Sequence, residues 1–376
     1  MITILNICLT VSAFVYVLIV IYLRKGWSAI PFFSTEISPS KKVSVLIAAR
    51  NEEENIARTI EAILNQNYPA SQLELIIVDD HSTDRTAEII KSYEDCGVKL
   101  LQLQVGNRLN SYKKYAITKA IEMASGEIIV TTDADCRMGE NWIPTVVGYF
   151  EKHNSFLVSS PVVYSEEKSK FEELQTLEFL YLIGLGAAGI GNGNPTTCNG
   201  ANLAYRRDVF FEMGGFKGID NLASGDDELF LHKVAEKYAN KIGFCKSREA
   251  IVYTDAKPDL TSFISQRKRW ASKSTKYKDK KVIVLGVCIW LFNLALIFSL
   301  LAFIILLPTL NWWLLTAFGL KMFVELLFMI PVLSFAKRSE LLKYLPFLTI
   351  IHTFYLVYIG VAGNIGKYDW KGRKVN

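Results

Sequence analysis

The 376-residue chain has no CxxC pair and no zinc-like cysteine spacing; Cys8, Cys96, Cys136, Cys198, Cys245 and Cys288 stand far apart. That excludes a disulfide scaffold and a zinc module, and makes reduced thiols the default expectation. Charge of one sign is also scarce. Lys and Arg total 42 against 37 Asp and Glu, a net +5, and the basic residues gather beside apolar segments instead of striping a domain. Nucleic acid is therefore excluded as a partner. No internal repeat or low-complexity tract stands out. The first apolar run has neither a basic stretch before it nor an A-x-A site after it, so a retained anchor is expected rather than a cleaved signal peptide. What the chain has in abundance is hydrophobic residues, 51%, yet charged residues still reach 21%. That combination implies a soluble domain joined to membrane spans.

Hydropathy divides the chain. Residues 1–23 are long and apolar enough to span, and Arg24 and Lys25 follow directly. The positive-inside rule then puts the N-terminus outside and the soluble domain in the cytoplasm. Residues 24–42, with Pro31 and Pro39, read as a linker, 43–256 as the soluble domain, and 257–281 as a basic juxtamembrane region. Residues 282–366 hold about three more spans, near 282–307, 312–335 and 344–365, and 367–376 form a basic tail. Pro308–Asn311 reads as an outer turn, while Lys337, Arg338 and Lys343 suit a cytoplasmic loop. Four full crossings would leave Lys367, Lys371, Arg373 and Lys374 outside, against the usual bias. One segment is therefore expected to lie in the interface or to re-enter. Lys321 and Glu325, four apart inside a span, are spaced to pair on one helix face turned toward protein.

The soluble domain alternates short β-branched runs with helical patterns, which implies βαβ units and a parallel sheet covered by helices. Val43–Ala49 enters the polar loop Arg50-Asn51-Glu52-Glu53-Glu54, and Leu75–Val78 enters Asp79-Asp80-His81-Ser82-Thr83-Asp84. Ser82 to Asp84 also suit an ordinary helix N-cap. Lys113 and Lys114 precede a helical stretch, where a lysine can meet a diphosphate; a solvated helix face accounts for two lysines nearly as well. Ile128–Val130 then runs into Asp133-Ala134-Asp135. Ligands of open parallel sheets bind at the carboxyl ends of strands. Two carboxylates there are costly without a cation between them, and a divalent metal bridging diphosphate oxygens supplies one. A DxD triplet alone is common by chance; its companions give it weight.

Phe156–Val163 reads as a strand. Phe171–Ile190 begins amphipathic and turns apolar and glycine-rich, suiting a helix at the membrane face or packed near an acceptor. Cys198–Arg207 is a glycine turn entering a strand, with Asn202 available as a hydrogen-bonding group on the acceptor side. Gly225-Asp226-Asp227-Glu228 opens a helix. Acidic residues there compensate the helix dipole, but three in a row exceed that need, and one can act as a general base. Gln266-x-x-Arg269-Trp270 suits holding a phosphate and stacking on a sugar ring. The lysines that follow suit contact with anionic lipid.

Taken in order, these motifs resemble the membrane-embedded inverting glycosyltransferases of family 2, the group that includes cellulose, hyaluronan and poly-N-acetylglucosamine synthases. The resemblance covers about Val43 to Trp270. It implies a GT-A nucleotide-diphospho-sugar transferase fold, an α/β domain with a Rossmann-like mixed sheet, plus transmembrane helices. It also implies that Asn51, Glu52 and Asp80 hold the uridine, and that Asp133 and Asp135 hold the nucleotide and a Mg or Mn ion. Asp227 becomes the base, and Gln266, Arg269 and Trp270 close over the diphosphate and shape the acceptor end. Gly225-Asp226-Asp227 stands where many members carry Thr-Glu-Asp, so the choice between Asp226 and Asp227 stays open. The expected partners are a nucleotide-sugar donor, a polysaccharide or lipid acceptor and membrane lipids, at a bacterial inner membrane. A catalytically silent nucleotide-sugar binder and a transporter are the competing readings; the retained carboxylates oppose the first, and ionisable groups concentrated outside the spans oppose the second.

Overall fold

A computed structural model of the chain describes residues 2–35, 40–103, 111–222, 224–273, 277, 279–306, 312–363, 368–370 and 373–375. The expected outer turn Pro308–Asn311 lies outside them, as do Lys276, Lys278, Lys367 and Lys371. The first helix, α1 (Ile2–Ala29), continues through Arg24 and Lys25, so helix replaces the start of the expected linker. The α/β domain follows with β1 (Val43–Ala49), α2 (Ile56–Leu64), β2 (Leu73–Asp79), α3 (Thr86–Lys91), β3 (Val98–Gln102), α4 (Tyr112–Met123) and β4 (Ile128–Thr132). It continues through β5 (Arg137–Met138), α5 (Trp142–His153), β6 (Leu157–Ser159), β7 (Val162–Tyr164) and α6 (Lys170–Gly191). Then come β8 (Leu203–Arg206), α7 (Arg207–Glu212), α8 (Glu228–Tyr238), β9 (Ile242–Phe244), β10 (Val252–Thr254) and α9 (Leu260–Ala271). The chain ends in α10 (Lys280–Leu306), α11 (Trp312–Ala336), α12 (Leu345–Ala362) and a hairpin of β11 (Tyr368–Trp370) and β12 (Arg373–Val375).

Seven strands form one sheet in the order β3-β2-β1-β4-β8-β6-β9. The first four are parallel, β8 runs antiparallel to β4 and to β6, and β9 runs parallel to β6. Successive strand residues point to opposite faces. In β1, Val43, Val45, Ile47 and Ala49 join the core under α2 and α5, while Leu46 joins the core that reaches the long apolar helices. Both faces are thus covered, as the uninterrupted apolar runs require. The expected strand at 156–163 is two strands: Ser160-Pro161 breaks it, β6 stays in the large sheet, and β7 joins β10 and β5 in a small one. The helix of α4 also starts earlier than its sequence pattern, which puts Lys113 and Lys114 in its first turn.

Among the described residues, five helices are long and apolar enough to cross a membrane: α1, α6, α10, α11 and the segment Ser339–Ala362 that contains α12. Of these, α6 packs on β7 and β9 on one side and on α1 and α11 on the other. The Lys321–Glu325 pair faces protein: Lys321 Nζ lies 2.5 Å from Glu325 Oε1, and Tyr16 and Thr349 hydroxyls also donate to that carboxylate. A single loop after β9 ties the domain to two of these long apolar helices. Lys246 Nζ donates to the carbonyls of Trp27 and Ile30, 2.9 Å each, at the end of α1. Arg248 donates to the carbonyls of Phe335 and Ser334, 2.8 and 3.0 Å, at the end of α11. Helix C-termini leave carbonyls unsatisfied and carry negative partial charge, so cations are the fitting caps.

Candidate active site

The carboxyl ends of β1, β2 and β4 open on one side of the sheet, and their loops interlock. Asn51 and His81 take left-handed backbone conformations, φ 50° and 57°. That turn lets Asn51 N–H reach Ser82 Oγ at 3.0 Å while its own Oδ1 accepts from Thr83 N at 2.9 Å. Glu52 N donates to Thr86 Oγ1, and Arg50 Nη1 donates to the carbonyls of Asp80 and His81. Asp80 is buried, with Oδ1 2.8 Å from His81 Nδ1. The three residues expected at the uridine, Asn51, Glu52 and Asp80, are thus brought into one pair of interlocked loops. Thr59, buried on α2, donates to the carbonyls of Ala134 and Cys136, 2.8 and 2.9 Å, and so fixes the loop that carries Asp133 and Asp135.

Lys113 joins the Asp133 loop to the acidic helix mouth. Its Nζ lies 2.8 Å from Asp133 Oδ1 and 3.3 Å from Asp226 Oδ2. A lysine in the first turn of a helix opposes the dipole; here the carboxylates offset it. Burial alone lowers the Lys113 pKa, but Asp133 and Asp226 outweigh burial and raise it. Burial raises the Asp133 carboxyl, and Lys113, with help from Arg269, holds it below the usual range. The neighbouring Lys114 turns inward instead, donating to the carbonyls of Leu222 and Ser224 at 2.5 and 2.7 Å. Burial brings its ammonium down to about 8. It pins the loop that leads into Gly225, whose φ of +86° and contact with Leu229 leave no room for a side chain.

Asp226 and Asp227 do different work. Asp227 is the N-cap of α8: its Oδ1 accepts from Glu228 N at 2.6 Å, and its Oδ2 from Gly200 N at 3.1 Å. Lys273 Nζ adds a contact at 3.4 Å to Asp227 and one at 2.8 Å to Glu228. Burial pushes the Asp227 carboxyl up, but Lys273 and the backbone donors win and hold it at about 2. Asp226 instead turns its Oδ2 to Lys113.

The Gln266-x-x-Arg269-Trp270 motif lies on α9, where Asp259 caps the helix start. Arg267, between the motif positions, is the organising residue: its Nε lies 3.2 Å from both oxygens of Glu178 on α6, and Nη2 also binds that carboxylate. Nη1 donates to Gln266 Oε1, and the guanidinium sits 4.3 Å from the Trp270 ring centroid. Asn202 corrects the expectation of an acceptor-side group. It is buried, with Oδ1 accepting from Trp142 Nε1 at 2.9 Å and Nδ2 donating to the carbonyls of Pro161 and Ala250. Every polar atom of that amide is spent holding β8 to its neighbours. Sequence reasoning missed Lys273, Glu178, Arg267 and Gly200; only Arg267 carried a signal, its place inside the Gln266–Trp270 motif.

Residues 44–214 match the family described as Glycosyl transferase family 2. That stretch is a glycosyl transferase family 2 domain. A glucosyl-dolichyl phosphate glucuronosyltransferase of Haloferax volcanii is 29% identical over 179 residues, 46% of this chain and 56% of that protein. A beta-monoglucosyldiacylglycerol synthase of Nostoc sp. is 33% identical over 133 residues, 34% of this chain and 28% of that one. The chain thus spans about half or less of the length of these relatives. The mannosyltransferase PcManGT from Pyrobaculum calidifontis, solved with GDP-Man and Mn2+, superposes with a TM-score of 0.60 at 18% identity, over 94% of this chain and 99% of that one. The family 2 domain therefore has the GT-A fold, and the mixed sheet expected of it is present.

Proposed function

We propose that the chain is a membrane-bound glycosyltransferase that moves a sugar, with inversion, from a nucleotide-diphospho-sugar, a UDP-sugar in the first instance, to a lipid-linked or polysaccharide acceptor. The observation that carries this reading is Lys113, whose ammonium bridges Asp133 at the donor end and Asp226 at the mouth of α8. One cation thus spans the two places that a displacement at an anomeric carbon needs, the leaving-group side and the attacking side. The names of two relatives, a glucosyl-dolichyl phosphate glucuronosyltransferase and a beta-monoglucosyldiacylglycerol synthase, support a lipid acceptor.

A divalent cation fits the donor end. Asp133 and Asp135 are hard oxygen donors, and among the described residues no third His, Cys, Asp or Glu joins them. Mg2+ is commonly held by one or two carboxylates with substrate phosphates completing the shell, and Mn2+ suits the same oxygen set. When bound, the ion neutralises the leaving diphosphate. Lys113 and Arg269 add positive charge beside Asp133, and Lys113 can turn from its carboxylates to a phosphate oxygen. Trp270 offers a ring face to the acceptor.

The base is one of two carboxylates, and the contacts around Asp227 favour Asp226 for the role. Asp227 already accepts from two backbone amides and pairs with Lys273, and a carboxylate held at about 2 is a weak base. Asp226 has to leave Lys113, which the arriving diphosphate draws away. The domain lies in the cytoplasm, on the side of Arg24 and Lys25, where nucleotide sugars are made. Release of free nucleoside diphosphate from a panel of UDP-sugars and GDP-mannose, with Mg2+ or Mn2+ and membrane lipid extract, tests the whole reading. Donor binding without turnover under every acceptor tried would leave the silent binder standing instead. Unchanged donor affinity in Asp135→Ala, with and without metal, would overturn the metal assignment.

A further inference from the structure

The segment Ser339–Ala362 passes every compositional test for a membrane span, yet both of its ends touch the catalytic side. In the turn before α12, Arg338 pairs with Glu167 at 2.6 Å, and the Tyr344 hydroxyl lies close to Glu173 at the start of α6. At the other end, Gly363 lies against Ala271, the last residue of α9, so closely that a Cβ there would collide. Between the ends, the Phe263 ring on α9 lies 5.6 Å from that of Tyr355, and Lys268 Nζ sits 5.6 Å over the Tyr358 ring.

Depth along α10 gives the same answer. Trp290 Nε1 donates to the carbonyl of Val357, and the same ring covers Gly360. Trp290 lies ten residues after the helix start at Lys280, about 15 Å along its axis at ~1.5 Å per residue. A helix that crossed the bilayer would bring its last turn to the far ends of α10 and α11, near Leu306 and Trp312. The last turn of α12 instead lies beside α9 and the first half of α10.

The outer face of α12 is apolar throughout. Phe347, Ile350, Phe354, Tyr358 and Val361 fall three or four residues apart, on one side of the helix, and all are exposed. Leu345, Thr349 and Thr353 on the other side are buried, and Thr349 bonds Glu325 of α11. The apolar face is continuous with the exposed hydrophobic surfaces of α10 and α11, where Leu291, Phe298 and Phe323 are uncovered. Its polar anchors, Tyr344 and Tyr358 with Lys268 and Lys343, are the residue types that settle at the headgroup level.

We propose that α12 lies in the membrane interface on the catalytic side, its apolar face in the acyl boundary, so that the chain crosses three times through α1, α10 and α11. The hairpin β11–β12 then returns beside α9, where it packs. Arg373 and Lys374 thereby fall on the side of Arg24 and Lys25, and the charge conflict of four crossings disappears. The occupant of the apolar face is lipid, and α9 with Trp270 runs along the same boundary. This topology stands or falls independently of the sugar transferred.

Two measurements on the full chain test it. A membrane-impermeant maleimide should add no label beyond wild type to Val375→Cys in intact cells and should add label in inverted vesicles; extra label in intact cells overturns the proposal. In nanodiscs containing anionic lipid, nitroxides at Phe347→Cys, Phe354→Cys and Val361→Cys should show equal, shallow oxygen accessibility. A midplane maximum at position 354 means a crossing helix, and exclusion of both oxygen and a water-soluble nickel relaxant at all three means a protein occupant; either result overturns it.

Discussion

Replacing Glu178 with leucine should destabilise the protein far more than removing both members of its ion pair. The Arg267 and Glu178 side chains are only 2% and 5% exposed. With the carboxylate gone, the guanidinium stays buried with Gln266 as its main remaining acceptor. Breaking one side of such a pair costs about 3–5 kcal/mol, against a total stability on the order of 5–15 kcal/mol. At roughly 2–4 °C per kcal/mol for a domain of this size, the melting temperature should fall by about 6–20 °C. Glu178→Leu with Arg267→Met replaces the pair by apolar groups, which is often nearly neutral, so most of that loss should return. Turnover should not return, because methionine cannot hold Gln266 or stack on Trp270. Tryptophan fluorescence melts in nanodiscs, paired with nucleoside diphosphate release, separate the two effects. If the single variant melts within a degree of wild type, or the double variant is as unstable as the sum of the singles, the pair does not organise α9.

Asp226→Asn should lower transfer by roughly two to four orders of magnitude with donor affinity nearly unchanged, the share expected of a general base; a fully active Asp226→Asn with a dead Asp227→Asn would return the role to Asp227. Asp227 has its carboxyl held at about 2 in the folded chain, below the ordinary ~3.9, so its contribution of about 2–3 kcal/mol is complete above that ordinary value and is lost as pH falls toward 2. Acid unfolding of wild type should therefore be steeper below about pH 4 than that of Asp227→Asn; superimposable curves would refute the pairing with Lys273 and the backbone amides. Gly225→Ala should cost at least ~1 kcal/mol in stability from its positive φ alone and should lower turnover by displacing Asp226; a fully active, equally stable variant would mean the turn can relax.

The strands and the DxD loop were legible because they rest on local rules: apolar runs of strand length, then polar residues where a strand must leave the sheet. Lys113 was legible only as a lysine at a helix entry, since its pairing with Asp133 and Asp226 joins elements far apart in the chain. The choice between Asp226 and Asp227 was not legible, since it depends on which residue the backbone turns inward to cap α8. Asn202 misled for a similar reason: an amide in a glycine turn looks free until Trp142, sixty residues away, claims its oxygen. Glu178 and Arg267 are 89 residues apart and no periodicity links them. For α12, hydropathy reports that a helix prefers lipid but carries no information about its tilt.

The hydrogen bond from Tyr16 to Glu325 spans 309 residues, and that separation sets an order on biosynthesis. At about 5–20 residues per second, α1 is made roughly 15–60 s before α11, its main helical partner. During that interval α6 and then α10 cover parts of the buried side of α1, and the face that meets α11 stays open. The nascent family 2 domain meanwhile emerges with Lys246 and Arg248 ready, but α11 cannot be capped until its last turn is made. The helix α1 is thus made long before the contact with α11 that completes its packing.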